Sequence, residues 1–174
     1  VESQERAANA REQGYFNKSL VPVKDANGLT ILDQDEFIRP GTTVDTLGEL
    51  QPSFEMMGQM GGFDSVAMQK YPEVERINHV HHAGNSSGIV DGSGLVLIGN
   101  EKMGKELGLT PRAKIRSYAM VGTEPTIMLL GPAPSTRKAL DKDGLTKDDI
   151  DLYEVNEAFA AVVLRFMQDM DVPH

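Results

Sequence analysis

The 174-residue sequence contains no cysteine. That excludes a disulfide framework, a thiolate zinc site and a cysteine nucleophile within these residues. A chain without disulfides suits a reducing compartment, and the expected location is the cytoplasm. No apolar run approaches the roughly 20 residues that a membrane helix requires, so no membrane span is expected. Basic residues are the minority: 17 Lys and Arg stand against 26 Asp and Glu, a formal net charge of −9. Nucleic-acid binding needs a clustered basic face, so no nucleic-acid partner is expected. An initiator methionine and a basic-then-apolar leader are also absent. The opening VESQERAANAREQGYF reads as the middle of a longer protein. At 40% hydrophobic and 25% charged, the composition is that of a folded globular chain. Its length suits one domain or two small ones.

Ser3 is placed to cap a helix running to about Gln13, with Gly14 as the stop. The DANG cluster over 25–28 marks a turn. After the RPGTT turn, Val44, Leu47, Leu50 and Phe54 recur at helical spacing. Glu55–Arg76 follows, with four methionines and three glycines between Glu55 and Met68. It reads as an adaptable surface loop, with a substrate lid as the alternative.

Ile77–His82, Leu95–Ile98, Ala113–Tyr118 and Leu152–Val155 read as short strands. Helices are predicted over Glu101–Leu107 and from Ser135 or Thr136 to Gly144, and Thr146 with Asp149 resembles a capping box. Val155, Ala158, Phe159, Val162, Val163, Phe166 and Met167 form one apolar helical stripe, with Asn156 as the opening residue. Strands alternating with helices in the second half indicate α/β architecture.

His79, His81 and His82 invite a metal reading, yet no acidic residue or cysteine lies nearby at ligand spacing. Zinc sites need three or four converging ligands, so no metal site is expected. The run Gly84–Gly94 holds four glycines without a phosphate-loop pattern. It offers a backbone that a ligand can approach closely, with Ser86 and Ser87 as hydroxyl donors. Arg39 is either a solvated charge or a phosphate clamp. Asn156 sits where a strand gives way to a helix. It is either an N-cap or a group facing a ligand outside the strand's carboxyl end.

The segment VNEAFAA at 155–161, preceded by DDIDLYE, resembles the NEAF motif of thiolases. The resemblance continues through GPAPSTRKAL, EPTIM, AGNSSGIVDGSGLVL, RPGTTVDTLGELQPSF and SQERAANA, in the family's own order. It implies part of the thiolase fold, which has two βαβαβαββ halves and an inserted loop domain. Residues 1–89 would then belong to the loop domain, 90–110 would end the N-terminal core half, and 111–174 would begin the C-terminal half. The stretch Glu55–Val80 is longer than the family's usual link.

By the same resemblance the nucleophilic cysteine lies upstream, and the histidine and second cysteine downstream. The implied activity is that of an acyltransferase, forming or cleaving 3-ketoacyl-CoA such as acetoacetyl-CoA through an acyl-cysteine. Coenzyme A and acyl-CoA are substrates, and no resident cofactor is implied. Arg39 matches a position near the nucleotide end of coenzyme A. Thr46, Leu50 and Phe54 match positions along the adenosine and pantetheine path. Ala83, Ser86, Ser87 and Ile89 match the strand beside the pantetheine arm. Met128, Ala158 and Phe159 match the apolar wall near the acyl group. Asn156 matches the asparagine that holds an oxyanion-hole water. A homodimer or homotetramer is implied. The competing reading is a non-catalytic acyl-CoA-binding module with the same fold.

Overall fold

A computed structural model describes all 174 residues, as mixed α/β, in two units. The first comprises Val1–Pro52 with His82–Gly84, and the second Ser53–His81 with Asn85–His174.

In the first unit, helix α1 spans Glu2–Glu12. Val1 is its N-cap, so Ser3 lies inside the helix and caps nothing. A two-stranded antiparallel hairpin follows, β1 (Val23–Lys24) and β2 (Thr30–Leu32). Its turn is built by Asp25, whose Oδ1 accepts from the N–H groups of Asn27 at 2.8 Å and Leu29 at 2.9 Å. Gly28 supplies the φ of 83° that the turn requires. Helix α2 covers only Val44–Gly48, although the apolar spacing extends to Phe54. Thr43 and Thr46 form a reciprocal capping box at its start.

In the second unit, the segment expected as a loop is two short helices, α3 (Glu55–Met60) and α4 (Phe63–Lys70). Gly62, at φ 76°, makes the turn between them. Gly58 is buried, and a Cβ there would collide with Asp64 and His79. The glycines that suggested mobility therefore permit close packing. Helix α5 (Glu101–Glu106) is capped by the Asn100 side chain, which accepts from Met103 N–H.

Helix α6 spans Pro132–Asp143 and starts before the expected Ser135 or Thr136 cap. Proline fits the first helical turn because no N–H is lost there. The Ser135 hydroxyl donates to the Gly131 carbonyl instead. Gly144 closes the helix in the left-handed conformation. The Thr146–Asp149 capping box forms over a single 3₁₀ turn. Helix α7 is Ala160–Met170, amphipathic, with Val162, Phe166 and Met170 buried. Phe166 and Met170 pack on Ala133 of α6, with Leu140, Tyr153, Val155 and Val172 around them. Burying a phenylalanine of this kind contributes about 2–3 kcal/mol.

None of the four segments expected as strands carries a ladder. A strand exists only through a run of backbone hydrogen bonds to a neighbour, and these segments have none: Ile77–His82 gains a single one, from the Ser53 N–H to the His81 carbonyl. Leu95, Val96, Leu97 and Ile98 are 70–98% exposed. These are apolar sequences suited to burial on both faces, here without a sheet around them.

Candidate active site

The first unit carries Arg39, Thr46, Leu50 and Ala83. Its loop is fixed by the Arg39 N–H, which donates to Gln4 Oε1 at 2.7 Å, and by the Thr42 hydroxyl, which donates to the Arg39 carbonyl. The Arg39 guanidinium lies 5.6 Å from the Phe37 ring centroid. Such a cation over an aromatic face is held in place without losing its charge. The Thr46 hydroxyl oxygen accepts from the Thr43 N–H at 3.1 Å, which closes the α2 capping box, and the hydroxyl donates to the Thr43 carbonyl. A Cβ at Gly84 would collide with Leu47 and Leu50, so the Ala83–Asn85 turn presses its glycine onto Leu50. Arg39, Thr46 and Ala83 are exposed.

The second unit joins two of the sequence motifs. Ser86 pairs with Phe159 as an isolated antiparallel bridge. The Ser87 N–H donates to the Ala158 carbonyl at 3.0 Å, and the Ser87 hydroxyl to the Glu157 carbonyl at 2.6 Å. Seventy residues of sequence separation are thereby closed at AGNSSG and NEAF. The Phe159 ring meets Phe54 edge-on at 6.1 Å and His81 at 4.9 Å. Packing of this kind is worth about 0.5–1.5 kcal/mol per aromatic pair beyond area burial. His81 was not expected in this wall. Its signal was the alternation over 77–82, which placed it on the same face as His79.

Asn156 does not open α7. The helix begins at Ala160 with Phe159 as N-cap, so the capping role that local sequence favoured for Asn156 falls away. Glu157 likewise precedes the first turn. The Asn156 carbonyl accepts from the Ala158 N–H at 2.9 Å, which makes a tight bend before the helix. Asn156 lines a cleft of about 310 Å³ with Ser135, Thr136, Tyr153, Ala158 and Leu129 among its walls. Val162 and Phe166 form the apolar floor.

Met128 and Leu129 both adopt left-handed backbone, with φ of 50° and 58°. For side chains of this size the conformation costs roughly 1–2 kcal/mol each. The bend before them is held by Glu124. Its carboxylate accepts from the N–H groups of Thr126 and Ile127, both at 3.0 Å, and from the Tyr71 hydroxyl at 2.7 Å. Partial burial opposes ionisation of Glu124, but the Tyr71 and Thr126–Ile127 donors outweigh it and hold the pKa down to about 2. The same bond pushes the Tyr71 phenol upward. Met128 is exposed, and Ile89 is fully exposed.

His79 pairs with Asp64 at 2.9 Å, an acid fifteen residues away in sequence that helix α4 brings in. No group of three or more His, Asp or Glu side chains converges anywhere in the chain. No helix is long and apolar enough to cross a membrane.

These elements match known proteins over almost the entire chain. Residues 1–102 match the thiolase N-terminal domain and residues 109–174 the thiolase C-terminal domain. The chain belongs to the thiolase family. The 3-ketoacyl-CoA thiolase of Cronobacter sakazakii is 42% identical over 171 residues, covering 97% of this chain and 39% of that protein. The acetyl-CoA acetyltransferase of Paracoccus denitrificans is 39% identical over 172 residues, covering 98% and 39%.

Among solved structures, the Bacillus anthracis acetyl-CoA acetyltransferase superposes with a TM-score of 0.78 at 35% identity, over 98% of this chain and 39% of that one. Human mitochondrial 3-ketoacyl-CoA thiolase in complex with CoA gives 0.77 at 35%, over 99% and 38%. The fold is therefore part of the thiolase fold, and the chain spans about two-fifths of the length of these relatives.

Proposed function

We propose that this chain is the coenzyme A-binding and oxyanion-stabilising segment of an acyltransferase that forms or cleaves 3-ketoacyl-CoA. The observation that carries the reading is the junction of Ser86–Ser87 with Glu157–Phe159, beside a cleft lined by Asn156. In thiolysis a thiolate adds to the 3-keto carbonyl and the bond between C2 and C3 breaks. The acyl group remains on sulfur, and the departing carbanion takes a proton to become acetyl-CoA. A coenzyme A thiolate then takes the acyl group from the enzyme. These 174 residues contain no cysteine, so the first thiolate belongs to the complete protein beyond them.

Each addition places negative charge on a carbonyl oxygen, and preorganised donors stabilise it. A neutral carboxamide on a rigid bend suits that task, either directly or through a water. Asn156 is assigned this role. Arg39 is assigned to the phosphates, with Thr46, Leu50, Phe54, Ala83, Ser86, Ser87 and Ile89 along the adenosine and pantetheine path. Met128, Ala158 and Phe159 are assigned to the acyl wall. The Ser87 hydroxyl already donates to a backbone carbonyl, so its support for the pantetheine path lies in holding the 86–89 segment in place. No resident metal or cofactor enters the proposal, and a homodimer or homotetramer is the proposed assembly.

Asn156→Ala in the complete protein tests the assignment. It lowers kcat by roughly 10²–10³, or less if a water intervenes, with little change in the coenzyme A KM. Because Asn156 caps no helix, the melting temperature changes little. A near-normal kcat contradicts the assignment.

A further inference from the structure

Phe54, the N-cap of α3, packs on Phe159, and two side-chain hydrogen bonds tie α4 and its C-cap to the rest of their unit. Asp64 in α4 pairs with His79, and both side chains are largely buried, at 18% and 11% exposure. Tyr71, the C-cap of α4, reaches 53 residues along the chain to Glu124. Glu124 is also the acceptor that organises the Thr126–Ile127 turn, using both carboxylate oxygens. Two residues further on, Met128 and Leu129 hold their left-handed backbone. Leu129 lines the same cleft as Asn156 and Ala158.

A left-handed pair of bulky residues persists only when its surroundings over-determine it, and such strain gathers at ligand-binding positions. The covalent path from α4 to this bend is long, whereas the hydrogen-bonded path is a single side-chain contact. We propose that Tyr71 is a positioning residue: through Glu124 it couples the α3–α4 hairpin to the Met128–Leu129 bend, and so sets the acyl group that the Asn156 cleft accepts. This rests on the acyltransferase reading given above. The hairpin then acts from outside the cleft, without touching substrate. Releasing the phenol hydroxyl lets the bend relax and moves Leu129 relative to Asn156. One methylene of substrate in an apolar pocket is worth roughly 10–200-fold in discrimination, so a wall that shifts changes which acyl group fits.

The test is Tyr71→Phe in the complete protein, which keeps the ring and removes only the hydroxyl. Thiolysis is followed with acetoacetyl-CoA and with a 3-ketoacyl-CoA of eight or more carbons. The ratio of the two kcat/KM values shifts by about threefold or more. A purely structural bond would lower the melting temperature and leave that ratio alone. A smaller shift, with the wild type active, overturns the coupling and spares the acyltransferase reading. A wild type inactive on both substrates overturns the acyltransferase reading, and the coupling with it.

Discussion

Glu124 shows how one side chain can organise several. Its carboxylate serves two backbone donors and one phenol, and it stays ionised well below its ordinary value of 4.5, down to about 2. A carboxylate with a depressed folded-state pKa contributes stability above its unfolded value, and that contribution is lost as pH falls through the folded value. The window therefore runs from about pH 4.5 down to 2. Urea midpoints of the complete protein, taken from pH 5 downward, fall more steeply for the wild type than for Glu124→Gln, which has no proton to gain. Parallel curves would contradict the arrangement. Asn156 makes the complementary point. Its residue type and place before an apolar stripe favoured an N-cap, yet α7 starts four residues later at Ala160. The bend over 156–159 is set by pairing with Ser86 and Ser87, which lie far off in sequence and are invisible to local spacing.

Helices were legible where their own ends carry the signal. Gly144 closes α6, Asn100 and Gly108 bracket α5, and Thr43 caps α2. Strands were not, because a ladder needs a partner and periodicity alone names none. The methionine- and glycine-rich stretch was misread for a related reason. Composition suggested mobility, whereas Gly58 exists to let α3 lie against Asp64 and His79. Gly58→Ala in the complete protein accordingly destabilises by about 1–3 kcal/mol, the range for overpacking a filled site. Gly48→Ala in α2 is the control, since nothing lies within 4 Å of its added Cβ. It should be neutral, or stabilising by up to about 1 kcal/mol. Equal denaturation midpoints for the two variants would contradict the packing described for α3.

Across the whole molecule, the buried apolar set is short: Ala8, Ala133, Val162, Phe166 and Met170. The four-residue apolar run Leu95–Ile98 stands open, and Ile115, Tyr118 and Met120 are 66–81% exposed. Exposed apolar faces and unpaired strand edges promote association. The sequence motifs, taken together in register, identified the family more surely than any element did, because they run through many elements in one order. The proposed chemistry is the part they leave incomplete, since these residues contain no cysteine. The most direct measurement is thiolysis of acetoacetyl-CoA and a longer 3-ketoacyl-CoA, comparing the complete protein with residues 1–174 alone, alongside light scattering of both. The complete protein turns over at least one of these substrates, while the isolated chain associates and shows no turnover. Turnover by residues 1–174 alone, or a complete protein inactive on both substrates, would contradict the account.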